Sequence, residues 1–141
     1  MNVLVTYESR GGRTKRAADA IAEAARATGA TVVVSPVSDA TSERVEEADV
    51  LFVGSWVEGF IVMGVGPSKA ALDWIATLPP LGGKPAAVFC TYAFNPRKTL
   101  AKLEAALAEK GAKVIGARAF HRKTSGTGAD GFVKEVLRAA R

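Results

Sequence analysis

The sequence predicts an α/β protein, a doubly wound sheet of five parallel strands with helices on both faces. Two observations predict it. Short, continuous apolar runs recur along the chain, and segments with a hydrophobic period near 3.6 lie between them. Continuous rather than alternating hydrophobicity marks strands buried on both sides, as in a parallel sheet covered by helices. Five β–α units with right-handed crossovers follow from that alternation.

The strand candidates, in order, are Val3-Leu4-Val5, Val32-Val33-Val34, Val50-Leu51-Phe52-Val53, Ala86-Ala87-Val88-Phe89 and Val114-Ile115. Ala17, Ala18, Ile21, Ala22 and Ala25 form a first helical stripe, and Ala71, Leu72, Ile75 and Leu78 a second. Leu100, Leu103 and Leu107 form a third, and Phe132, Val133, Val136, Leu137 and Ala140 a fourth. Residues 42–48 are acidic and suit one or two helical turns before the third strand. Asn95-Pro96 reads as an N-cap with proline at the first helical position, and Gly111 as the stop. Gly66-Pro67-Ser68 opens another helix in the same manner, and Pro79-Pro80 ends it. No repeat, low-complexity tract or linker interrupts the pattern.

At 141 residues the chain suits a single domain over 1–141. With 48% hydrophobic against 23% charged residues it is not a disordered chain. One cysteine excludes an internal disulfide. No run approaches the ~20 apolar residues that a membrane span needs. Met1-Asn2-Val3-Leu4-Val5 has no basic leader before its apolar stretch, so the expected address is the cytoplasm. The net charge is +5 but uneven: residues 1–83 carry 7 basic and 10 acidic side chains, residues 84–141 carry 12 and 4. Such a basic half attracts phosphates, acidic proteins or nucleic acid through its long-range field, and also describes a lysine-rich solvated surface.

In a doubly wound sheet ligands sit beyond the carboxyl ends of the strands, where the strand order reverses. Three loops therefore matter: 7–14, 54–66 and 91–96. In the first, Tyr7-Glu8-Ser9-Arg10-Gly11-Gly12-Arg13-Thr14, two glycines allow a tight turn and close approach of backbone amides to a ligand. Ser9 and Thr14 add hydroxyls, the helix N-terminus a partial positive charge, and Arg10 and Arg13 charge-assisted donors. Together they suit a dianion such as a phosphate monoester; a plain strand-to-helix turn capped by Thr14 would use the same residues. The spacing is neither that of a Walker A loop nor the three-glycine dinucleotide pattern. The carboxylate cluster of a response-regulator receiver is also missing.

The loop resembles the signature of the flavodoxin family, with Val5, Tyr7, Ser9, Gly12, Thr14, Ala18 and Ile21 at matching positions. Thr6 departs, since the family usually has an apolar or aromatic residue there. With no long insertion before the last helix, the resemblance is to the short-chain type. It implies strand order 2-1-3-4-5 and flavin mononucleotide (FMN) as cofactor. Its phosphate would lie in the loop of Ser9, Arg10, Gly11, Gly12, Arg13 and Thr14. Family phosphate loops are usually uncharged, so Arg10 and Arg13 are departures that either neutralise the phosphate or point into solvent.

The same resemblance assigns the flavin ring to the other two loops. In Ser55-Trp56-Val57-Glu58-Gly59, Trp56 matches the tryptophan that stacks on the ring, with Phe60 in reserve; core packing is the competing reading. Gly59 permits a backbone flip that presents the Glu58–Gly59 carbonyl to the flavin. In the third loop, Tyr92 matches the tyrosine over the opposite face, flanked by Thr91 and Ala93, although an interior ring would also suit it. The apolar stretch 60–66 suits a flavin cover, a homodimer contact or core packing.

Cys90, ending the fourth strand run, has no neighbouring base in sequence and reads as a buried small hydrophobe. His121 begins a basic stretch with Arg122 and Lys123 and has no second histidine for a metal site. That stretch lacks the interleaved aromatics that stack on bases, so nucleic acid is not the expected partner. The function implied is FMN-dependent electron transfer to a redox partner protein, whose docking surface would be acidic to match a pI near 9.6. A flavin-dependent oxidoreductase of quinone or protoporphyrinogen type, and a flavin-free interaction module, are the alternatives.

Overall fold

The computed structural model describes residues 1–58, 65–96 and 98–141. Strand β1 (Asn2–Glu8) leads through a tight loop into α1 (Arg13–Ala27), and β2 (Thr31–Pro36) is followed by a 3-10 turn (Val37–Asp39) and α2 (Ser42–Glu47). Next come β3 (Val50–Glu58), the two-residue β4 (Gly66–Pro67) and α3 (Lys69–Ala76). The chain ends with β5 (Pro85–Tyr92), α4 (Thr99–Glu109), β6 (Lys113–His121), a 3-10 turn (Arg122–Thr124) and α5 (Ala129–Ala140).

The strands lie in the order β2-β1-β3-β5-β6, all parallel. Apart from β4, this is the expected order 2-1-3-4-5. β4 is the element that the sequence reading lacks: it pairs antiparallel with the end of β3, Val57 opposite Pro67 and Glu58 opposite Gly66. The order reverses between β1 and β3, so the loops after these strands flank the switch point.

Each apolar run splits between two cores because successive side chains of a strand face opposite ways. Val3, Val5, Tyr7, Val50 and Phe52 meet α1 and α5, with Phe132 edge-on to Phe52 at 5.7 Å. Leu4, Leu51, Val53 and Val88 meet Val45 of α2, Ile75 of α3 and Leu103 and Leu107 of α4. The first stripe, Ala17 to Ala25, is buried throughout, and so are Phe132, Val133, Val136 and Leu137. Gly54 is required at its place in β3: a Cβ there would lie 2.1 Å from the Phe89 ring.

Caps follow the residue chemistry with one shift. Ser68 caps α3, its Oγ accepting from Ala71 N at 3.1 Å. That helix ends at Ala76, ahead of the proline pair, and leaves the buried Leu78 just outside it. Gly111, at φ 87°, closes α4 with its amide on the Ala108 carbonyl at 2.9 Å. α4 itself begins at Thr99, not at Asn95-Pro96. The Pro96 carbonyl accepts from Thr99 N at 3.0 Å, so the proline opens a turn that leads into the helix. No helix among the described residues is long and apolar enough to cross a membrane.

Candidate functional site

A crevice of about 400 Å³ opens at the carboxyl ends of the central strands. It is lined by Arg10, Gly11, Arg13 and Thr14 after β1, by Trp56 and Val57 at the end of β3, and by Thr91, Tyr92 and Ala93 at the end of β5. Arg122, beyond β6, completes it. Three loops far apart in sequence thus meet at the reversal of strand order, where no crossover covers the gap. Among the described residues the lining carries three arginines and no acidic side chain.

The β1–α1 loop turns through Gly12, whose φ of 85° favours glycine. Ser9 Oγ accepts from Gly12 N at 3.1 Å and from Lys15 N at 3.4 Å, so this hydroxyl caps the first turn of α1. Arg13 and Thr14, the first two helical residues, keep amides with no protein acceptor among the described residues. The buried Thr14 hydroxyl meets that of Thr91 at 2.7 Å, joining this loop to the one after β5. Ser125 Oγ donates to the Arg13 carbonyl at 2.6 Å and draws the β6–α5 connection alongside.

At the end of β3 the side chains divide. Trp56 is half-buried, and its Nε1 is enclosed with no hydrogen-bond partner among the described residues. The Arg10 guanidinium carbon stands 5.1 Å from the centre of the Trp56 ring, a cation–π distance. Ser55 is fully buried and spends its hydroxyl within the protein, donating to the Trp56 carbonyl at 2.7 Å and accepting from Ser68 N at 2.9 Å. Glu58 turns toward α3, where Oε2 accepts from Lys69 N at 2.9 Å. Both therefore brace the end of β3 from behind the crevice. Gly59 and Phe60, with the rest of 59–64, lie outside the described residues.

Tyr92 is half-exposed and meets His121 edge-on, with ring centres 5.3 Å apart. The imidazole is held at both nitrogens. Lys123 N donates to Nδ1 at 3.2 Å, which leaves Nε2 to donate to the Ala93 carbonyl at 3.0 Å. His121 is thus a brace that sets the backbone of the third loop. Cys90, one residue before Thr91, is enclosed in the sheet, and burial pushes its thiol up from 9.0 to about 12. It stays protonated and inert.

Of the residues singled out in the sequence, Arg10, Gly11, Arg13, Thr14, Trp56, Val57, Thr91, Tyr92 and Ala93 line one crevice. Ser9, Gly12, Ser55 and Glu58 shape it without lining it. Arg122 and His121 were missed. Their signal was the basic run directly after the fifth strand, at the same sheet end as the three loops considered.

The family model for flavodoxin matches residues 5–136. Among curated proteins no relative matches. The fold is similar to that of Megasphaera elsdenii flavodoxin, at 24% identity over 98% of this chain and 97% of that one, TM-score 0.81. It is equally similar to the Streptococcus pneumonia TIGR4 flavodoxin, at 20% identity over 99% of both chains, TM-score 0.81. The rubredoxin oxygen:oxidoreductase of Desulfovibrio gigas contains a similar fold, at 16% identity over 99% of this chain but 36% of that one, TM-score 0.78. With the family model covering nearly the whole sheet and both flanking helix layers, the chain belongs to the flavodoxin family and is a flavodoxin-like, FMN-binding electron-transfer protein.

Proposed function

We propose that the crevice at the switch point holds FMN and that the protein carries electrons to a partner with an acidic docking surface. One observation carries the reading: two aromatic rings, Trp56 and Tyr92, share a crevice with the open first-turn amides of Arg13 and Thr14. A phosphate monoester suits those amides, with the hydroxyls of Thr14 and Ser9 and the guanidinium of Arg13 beside them. A flat heterocycle suits the rings, with Val57, Thr91 and Ala93 offering apolar surface and backbone groups, and Ser55 and Glu58 holding the strand end in place.

When bound, FMN supplies the reversible redox chemistry, and the protein supplies position and electrostatics. Arg10, Arg13 and Arg122 line the crevice, so an acidic partner would be steered to the cofactor's edge. We place this carrier in the cytoplasm as a single domain over 1–141. A homodimer through the apolar stretch 60–66 is part of the proposal; residues 60–64 of that stretch lie outside the described residues.

The test is the purified protein itself. It should be yellow, with the flavin band at roughly 450 nm, and should pass electrons to an acidic acceptor at a rate that falls with added salt. A colourless protein that takes up no added FMN would sink the reading. A second reading, an oxidoreductase with its own substrate, is supported by the occurrence of the fold within the Desulfovibrio gigas rubredoxin oxygen:oxidoreductase. Steady turnover of a quinone with a nicotinamide donor would favour it over the carrier.

A further inference from the structure

Arg10 has an unusual position for a phosphate-loop residue. Its guanidinium carbon lies 5.1 Å from the centre of the Trp56 ring, and among the described residues it has no other partner. Among those residues neither a carboxylate nor a carbonyl holds it. Arg10 and Trp56 both line the crevice, so the guanidinium covers apolar surface that a flat heterocycle would use. Three and four residues farther on, Arg13 and Thr14 present the open amides suited to a phosphate. The two places that suit Arg10, an aromatic face and an anion, thus lie within one side chain's reach of its backbone.

We propose that Arg10 makes the crevice select a phosphorylated flavin over its unphosphorylated form, by exchanging the Trp56 ring for the ligand's phosphate. The proposal rests on the placement of FMN given above. A flavin that stacks on the Trp56 face Arg10 covers must displace the guanidinium from it. When the ligand carries a phosphate, the displaced cation gains a dianion and a charge-assisted bond. When the ligand is riboflavin, the cation moves to solvent and the lost ring contact is not replaced. The same residue therefore hinders one ligand and assists the other. Arg13 does not share this role, because its backbone is pinned by Ser125 and its guanidinium is not over the ring.

The test is titration of the cofactor-free full chain with FMN and, separately, with riboflavin, followed by the quenching of flavin fluorescence. Arg10 is exposed, so its replacement leaves the core intact. Arg10→Ala should bind riboflavin about two- to fivefold more tightly, the worth of an exposed cation–π contact. It should bind FMN about tenfold more weakly, the worth of a charge-assisted bond. Arg10→Lys keeps the charge and loses the planar stack, so it should gain riboflavin affinity while holding most of its FMN affinity. Riboflavin affinity unchanged in Arg10→Ala, or both ligands shifted by the same factor, would overturn the exchange. Trp56→Ala separates the two claims. If it weakens both flavins while Arg10→Ala fails, the crevice reading stands and the exchange falls; if it changes neither, both fall.

Discussion

The hydroxyls of Thr14 and Thr91 lie 2.7 Å apart, buried, and join loops separated by 77 residues of chain. This bond sets the first loop of the crevice against the third, and it sits between the open amides and Tyr92. Removing one hydroxyl leaves the other buried without a partner, so Thr91→Val should destabilise the protein by about 1–3 kcal/mol. Thr14→Val/Thr91→Val together should cost less than the two single changes added. Urea unfolding of the four proteins measures the coupling, and strict additivity would show that the contact contributes nothing.

Ser9 and Thr14 act differently on stability and on binding. Ser9→Ala removes the cap on Gly12 N and Lys15 N and should cost about 1 kcal/mol of stability without ligand. Combined with Thr14→Ala it should weaken FMN binding by about 2–4 kcal/mol through the lost charge-assisted bonds. Calorimetric titration measures this, and an unchanged affinity places the phosphate elsewhere.

Gly54 tests the packing under the site. Any side chain there drives a Cβ into the Phe89 ring, which is wedged edge-on against Phe120 at 6.4 Å. Gly54→Ala should cost about 3 kcal/mol, read from the shift in the denaturation midpoint.

The buried Cys90 thiol makes alkaline stability a measurable quantity. Unfolded, it ionises near 9.0; folded, at about 12. Above pH 9 the unfolded chain therefore binds fewer protons than the folded one, and stability declines as pH rises toward 12. The slope approaches about 1.4 kcal/mol per pH unit. Cys90→Ala should remove this part of the decline, as urea titrations at pH 8, 9 and 10 would show. Identical slopes in the two proteins would count against the shift.

Arg122 reaches the crevice from beyond β6 and is exposed. Arg122→Glu should slow electron transfer to an acidic acceptor about threefold or more at low ionic strength, with the difference fading as salt is added. Stopped-flow mixing across a salt series measures it.

Most of the architecture was readable from local pattern. Val3 to Val5 and Val50 to Val53 are continuous apolar runs because both sheet faces are covered, and the Ala17 to Ala25 stripe, alanine except for Ile21, is buried where α1 packs on the sheet. The signature from Val5 to Ile21 was readable for the same reason, since strand, turn and helix are contiguous there. The two-residue β4 was not legible, because Gly66-Pro67 has no strand pattern and pairs with β3 through position alone. The start of α4 lies later than the pattern suggests because Asn95-Pro96 carries the chemistry of a cap but stands at the opening of the turn that leads into the helix.

The order of residues by itself determined the layers, the crossover pattern and the loop that resembles a phosphate cradle, since hydrophobic period and turn chemistry act over a few neighbours. Only the tertiary structure decided which side chains face one another across the crevice. Ser55 and Glu58 turn to α3, Arg10 covers Trp56, and Arg122 arrives from the far end of the sheet. Those choices depend on which loops become neighbours when the strand order reverses, and residues that meet across that reversal share no local pattern in the chain.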